Sequence, residues 1–216
     1  MKLYHALLQL LFPDKCILCG KVLHKEEQDL CRKCRTSVPE YPESKETLQF
    51  LDSFTAVWYY EGNVRRSLLR YKFYNARSLS RGYGHLLAEK VRREYPVGFD
   101  CITWIPVSAR RKRERGYDQV ELLAKVVGKE LARDPVPLLK KARHNRPQSG
   151  ISGVKERRAN ALDAYREINP EAIAGKRILL LDDIITTGAT AGECAKVLRK
   201  HGAIEVHCAA VAAARK

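Results

Sequence analysis

RILLLDDIITTGAT, residues 177–190, is the stretch on which the fold turns. Ile178 to Leu181 form an apolar run too short for a helix, so RILLL (177–181) reads as a strand buried on both faces. Asp182 and Asp183 follow directly, and Thr186, Thr187, Gly188, Ala189 and Thr190 then lead into TAGECAKVLRKHG (190–202), a helix closed by Gly202. In an open α/β sheet, ligands sit beyond the carboxyl ends of the strands. The N–H groups opening a helix favour an anion there, threonine hydroxyls add donors, and a glycine lets backbone approach a phosphate closely. A ligand that satisfies both this cradle and two adjacent carboxylates carries a phosphate at one end and a diol at the other. That is the chemistry of a ribose 5-phosphate.

Outward from this stretch, strand and helix patterns alternate. FTAVWYY (54–60) is a strand, NVRRSLLRYKF (63–73) a helix with Asn63 as its N-cap, and LSRGYGHLLAEKVRREY (79–95) mainly helical with a start weakened by Gly82 and Gly84. CITWIPV (101–107) reads as a buried strand, DQVELLAKVVGKELA (118–132) as an amphipathic helix, PLLKKA (137–142) as a short strand and AIEVHCAAVAA (203–213) as the last strand. Residues 143–153 read as a polar loop and VKERRANALDAY (154–165) as helical in part. The alternation predicts an α/β domain with a mostly parallel sheet flanked by helices. SVPEYPESKETL (37–48) reads as a linker, dividing the chain into units at 1–48 and 49–216.

The 216 residues are 45% hydrophobic and 30% charged, a globular and not a disordered composition. No apolar run approaches the roughly 20 residues of a membrane-spanning helix. The opening MKLYHALLQLLFPDKC is interrupted by His5 and Gln9 and lacks a cleavage site, so it is expected to be a short amphipathic helix packed on the body, not an export signal. The net charge of +15 is uneven: residues 101–160 carry 15 basic and 6 acidic side chains, a surplus of +9. A concentrated surplus points to a face for phosphates or polyanions.

Seven cysteines without an export signal imply a reducing compartment, where thiols are buried, metal-bound or reactive. Cys16-Ile17-Leu18-Cys19, eleven residues, and Cys31-Arg32-Lys33-Cys34 form two knuckles. Four thiolates complete a tetrahedron for zinc with no open position for water, so the ion is structural. So short a unit scarcely holds a core, and zinc supplies the folding energy. His24 is a substitute ligand by composition, although a solvent-facing loop position suits it better. Cys101, Cys194 and Cys208 fall in predicted strands and helices as buried, inert thiols.

After strand 101–107 comes ARRKRERG, with Arg110, Arg111, Lys112, Arg113 and Arg115 on the predicted ligand edge, followed by Tyr117. Forked guanidiniums suit phosphates. RYKFYNAR (70–77) alternates Tyr71, Phe73 and Tyr74 with Arg70, Lys72 and Arg77, a pattern that stacks bases and holds phosphates of a single strand. As an amphipathic helix end, the same segment sends at least one ring into the core.

ILLLDDIITTGAT resembles the signature of type I phosphoribosyltransferases: four apolar residues, two acids, two apolar residues, Thr-Thr-Gly, a free position and Thr. Together with WIPVSARRKRERGYDQVELLA (104–124), RHNRPQSGISGVKERRANALDAY (143–165) and the cysteine unit, nearly the whole chain is similar to the ComF family of bacterial competence proteins. The resemblance implies a type I phosphoribosyltransferase-like domain behind a zinc unit. It implies that Asp182 and Asp183 hold the ribose 2′ and 3′ hydroxyls of phosphoribosyl pyrophosphate (PRPP), and that residues 186–190 hold its 5-phosphate. Magnesium would bridge ribose and pyrophosphate oxygens. The basic loop 110–117 would take pyrophosphate or nucleic acid, and Arg143, Arg146, Arg157 and Arg158 would belong to a lid. ComF members usually show Arg-Gly-aromatic-Asn-Gln, where this chain has Arg115-Gly116-Tyr117-Asp118-Gln119. The function implied is handling of single-stranded DNA during natural transformation, in the cytoplasm, beside a competence helicase. An active phosphoribosyltransferase with an unknown acceptor is the alternative, and a zinc-anchored interaction module a third.

Overall fold

The computed structural model describes residues 13–43, 48–142 and 164–215. The expected opening helix, the polar loop 143–153, most of 154–165 and the lid arginines Arg143, Arg146, Arg157 and Arg158 lie outside these residues. Within the cysteine unit the chain forms one short helix, α1 (Arg32–Ser37). The body then runs β1 (Ser53–Tyr59), α2 (Gly62–Phe73), α3 (Leu79–Glu94) and β2 (Cys101–Trp104). It continues with α4 (Ala109–Arg115), α5 (Gln119–Glu130), β3 (Leu139–Lys141) and β4 (Tyr165–Glu167). It ends with β5 (Arg177–Ile185), α6 (Ala189–Lys200) and β6 (Glu205–Ala213).

Four parallel strands lie in the order β1-β6-β5-β2. Parallel sheets need cover on both faces, and the side chains of β5 divide accordingly. Leu179 and Leu181 pack with α2, α3 and α5, whereas Ile178 and Leu180 pack with α6 and with Leu139 and Tyr165 of the short antiparallel pair β3–β4. That pair forms a stem extended by the Ala142 N–H to Ala164 C=O bond.

Four elements differ from the sequence reading. β5 does not stop at Leu181: β6 supplies backbone partners as far as Ile185, paired with Ala213, so the acid pair lies inside the strand. β2 stops at Trp104; Ile105 N–H still reaches Leu181 C=O at 2.9 Å, but Pro106 has no N–H to continue the ladder. The basic segment 109–115 is a helix, α4, capped where Ser108 Oγ accepts the Arg111 N–H and closed by Gly116 at φ 74°. Asn63 is not the cap of α2 either; that position is Glu61, and Asn63 lies within the first turn.

The cysteine unit is fixed to the body through α2 and α3. Arg70 donates to the carbonyls of Ile17 and Leu18 at 3.0 Å each, Ser67 Oγ donates to Ile17 C=O, and Tyr83 OH donates to Ser67 Oγ. Asp29 meets His85 Nδ1 at 2.6 Å. Gly82 and Gly84 are there for close packing: a Cβ on Gly82 would lie 2.8 Å from Ile17 Cγ2 and 2.9 Å from Asp29 Oδ1, and one on Gly84 would lie 2.5 Å from Val126. In an open helix, Gly→Ala gains about 1 kcal/mol. Gly82→Ala is therefore expected to do the opposite, losing roughly 1–3 kcal/mol by overpacking. Chemical denaturation of both proteins checks the sign.

Candidate functional site: the carboxyl edge of the central strands

Asp182 and Asp183 are consecutive strand residues, so their side chains leave opposite faces of the sheet. Asp183, only 3% exposed, points under α2 and α5. Lys72 Nζ, from the last turn of α2, lies 2.8 Å from its Oδ1, and Gln119 Nε2, the first residue of α5, donates to its Oδ2 at 2.9 Å. Tyr71 OH in turn donates to the Gln119 carbonyl at 2.6 Å, and Tyr117 OH to the Tyr71 carbonyl.

Asp182 faces the other side and is half-buried. Its Oδ1 accepts the Asp183 N–H at 2.7 Å, and its second oxygen has no hydrogen-bond partner among the described residues. Burial first, then the charge of Asp183, pushes its carboxyl up to about 8, against the pull of Lys72. Lys141 and Tyr165 of the stem and Cys194 of α6 share this environment; burial and then the charge of Arg111 lower the Lys141 ammonium, which sits 5.2 Å over the Tyr165 ring.

The loop behind the acids turns sharply. Gly188 has φ 75°, and a Cβ there would meet Leu48 Cδ1 at 2.5 Å, so both conformation and space demand glycine. Thr187 Oγ1 accepts the Ala189 N–H at 3.4 Å and Thr186 is exposed. Thr190 lies in the first turn of α6, whose N-terminus opens on the same edge as Asp182.

The basic residues of α4 divide. Arg110 pairs with Glu114 at 2.6 Å and Lys112 with Glu121 at 3.0 Å, and Arg113 is exposed. Arg111 lies on the stem side, its charge acting on Lys141 and Tyr165. Arg115 stacks 5.1 Å over Phe73. Tyr117 was expected on the ligand loop; at 6% exposure it is a core residue, because its ring packs against Tyr71 and its hydroxyl is taken by the Tyr71 carbonyl. Of the rings in 70–77, Tyr71 is buried, and Phe73 and Tyr74 are outside.

In the N-terminal unit, the Sγ atoms of Cys16, Cys19, Cys31 and Cys34 lie within 4.8 Å of one another, with Cys19 and Cys31 at 3.7 Å. Four sulfurs about 2.3 Å from one tetrahedral ion stand about 3.8 Å apart, so the cluster fits zinc. Burial works against the Cys16 thiolate, but N–H groups of Cys19, Cys31 and Leu18 bring it down to about 7. His24 is exposed and not part of the cluster.

Residues 7–45 match the double zinc ribbon domain and residues 121–216 the phosphoribosyl transferase domain. The chain is 28% identical over 221 residues to Competence protein F of Haemophilus influenzae, covering 90% of this chain and 95% of that protein. It is 27% identical over 223 residues to Competence protein ComFC of Streptococcus pneumoniae, covering 89% and 96%. Over nearly its whole length the chain is similar to these ComF-type competence proteins, with a zinc ribbon followed by a phosphoribosyl transferase domain. A shorter match, 30% over 112 residues, covers 50% of the chain and 48% of DNA utilization protein YhgH of Escherichia coli.

The Asp at position 118, where the ComF pattern has Asn, has a structural reason. Asp118 is buried and caps α5: Oδ1 accepts N–H groups from Val120 and Glu121 at 2.9 and 3.1 Å, and Oδ2 accepts from Val107 at 3.2 Å. Both carboxylate oxygens are used as acceptors; burial raises its pKa and the three N–H groups oppose that. An amide in this place would present N–H to one of these donors. Reading the sequence missed Lys72 and Gln119 as partners of Asp183; the signal available was their place in RYKFYNAR and RGYDQ, both assigned outward.

The raised carboxyl of Asp182 gives a pH dependence. The folded chain binds this proton more tightly than the unfolded chain, whose aspartates titrate near 4, so stability falls as pH rises from about 4 to about 8. Asp182→Asn removes this contribution and keeps the bond from Asp183 N–H. Its melting temperature should exceed that of the wild type at pH 8 and approach it as pH falls to about 4, as thermal melts at the two pH values would establish.

Proposed function

We propose that this chain binds PRPP with magnesium at the carboxyl edge of β5 and handles single-stranded DNA during natural transformation. The observation that carries the ligand reading is the acid pair followed by a tight glycine turn and a helix N-terminus. Asp182 offers a free oxygen to a ribose hydroxyl, while Asp183, held by Lys72 and Gln119 on the opposite face, fixes the strand that presents it. Thr186, Thr187, Gly188, Ala189 and Thr190 receive the 5-phosphate. Lys141, which feels the charges of both Asp182 and Arg111, stands with Arg111 as a cation for pyrophosphate, with Arg110, Lys112, Arg113 and Arg115 along the approach; the lid arginines would close over it. Magnesium, when bound with PRPP, neutralises pyrophosphate charge.

The competence role is supported by relatives bearing the names Competence protein F, ComFC and DNA utilization protein, and by the basic surplus of residues 101–160. We place the protein in the cytoplasm with a competence helicase as a partner, and the zinc unit as a segment ending near residue 48. Among the described residues, no helix is long and apolar enough to cross a membrane. The alternative, phosphoribosyl transfer to a nucleobase or amine, is favoured by the retention of both acids.

Calorimetry with PRPP and magnesium tests the ligand reading. Wild type should bind, and Asp182→Ala, which leaves the Lys72–Asp183 pair in place, should lose binding at least tenfold while circular dichroism shows it folded. No heat from wild type would sink the PRPP reading. Release of pyrophosphate with a candidate acceptor would favour the transferase alternative.

A further inference from the structure

The carboxyl end of α2 carries a feature that the ligand site does not use. Phe73 and Tyr74 are 62% and 76% exposed, adjacent in sequence and beside the Lys72–Asp183 pair. Their neighbour Tyr71 already fills the core position, so these rings are surplus to packing. One cation lies against Phe73 and a second sits on the neighbouring Tyr117 ring. The Arg115 guanidinium lies 5.1 Å over Phe73, and its Nη1 is buried with no hydrogen-bond partner among the described residues. Arg77 lies 4.8 Å over Tyr117 and is braced by Asn75 Oδ1 at 3.0 Å and the Gly116 carbonyl at 3.4 Å. From Gly62 to Ala88 the chain has six basic residues and no acidic one. Arg70 is not available to a ligand, since it holds the zinc unit. The Asp183 carboxylate beneath the shelf is compensated by Lys72, so it does not repel a polyanion.

We infer that Phe73 and Tyr74, flanked by Arg77 and Arg115, form a shelf on which two successive bases of single-stranded DNA stack while the guanidiniums hold the backbone phosphates. This rests on the DNA reading above and says where the strand lies. Any base offers a π-face, so the shelf takes a strand without regard to sequence, and a duplex, whose faces are already stacked, is a poor ligand. Because Lys72 precedes Phe73 directly and pairs with Asp183, the strand would run beside the ribose edge.

The test measures anisotropy of a labelled twelve-nucleotide dT strand with wild type, Phe73→Leu/Tyr74→Leu and Arg77→Gln, over a range of salt. The leucines keep apolar bulk and remove the π-faces; both sites are exposed, and an unchanged melting temperature verifies the fold. Binding should weaken about tenfold per ring, with the salt slope preserved. Arg77→Gln should weaken binding and lower the slope by about 0.7. A strand with abasic positions should bind wild type weakly and lose nothing further on the double variant. If wild type binds the strand and the double variant binds it equally, the shelf is overturned and the DNA reading stands. If wild type binds no strand, the DNA reading falls and the shelf with it. Free nucleosides bound at the shelf in that case would reassign it to a soluble base.

Discussion

A buried carboxylate must be compensated where it stands, and in this protein Asp183 imposes that constraint. It sits under two helices with almost no access to water. Its compensation comes from opposite sides in sequence: Lys72 closes α2 and Gln119 opens α5. Removing one partner of such a pair costs roughly 3–5 kcal/mol, because the remaining charge is stranded. The positions of α2 and α5 against β5 are thus fixed by chemistry and not by apolar contact alone. The Tyr71 and Tyr117 hydroxyls extend the connection through backbone carbonyls to Gln119 and Tyr71.

α2 also carries the link to the zinc unit. Ser67 and Arg70, five and two residues before Lys72, hold the Ile17–Leu18 knuckle, and α3 accepts the same unit through Gly82 and His85. A structural zinc cluster, a helix and a buried acid therefore form one mechanical path to the carboxyl edge of β5. The two acids divide the work. Asp183 is spent on architecture, while Asp182 keeps an open oxygen in a setting that resists its ionisation and that a hydroxyl donor or a cation would relieve.

The strand that decides the fold was legible because Ile178 to Leu181 are apolar on both faces, which only a covered parallel strand requires. The zinc ligands were legible because thiolate spacing maps directly onto a tetrahedron. What escaped was set by distant partners. The acids were read as lying after the strand, but β6 runs on and pulls them into the ladder, turning a pair into two opposed side chains. The helix α4 was hidden behind its run of charge, although Ser108 and Gly116 mark its ends. Tyr117 and Lys72 looked like surface residues of basic segments. Their inward positions depend on Tyr71 and Asp183, which lie 46 and 111 positions away in the chain. No local pattern encodes a contact at such separation.

The account stands most directly on the Lys72–Asp183 pair, and a double-mutant cycle of unfolding free energy measures it. Lys72→Met alone should destabilise by roughly 3 kcal/mol or more, since it strands a buried charge. Lys72→Met combined with Asp183→Asn should recover most of that loss. Additive single effects, to within about 0.5 kcal/mol, would contradict the claim that this pair joins the helices to β5.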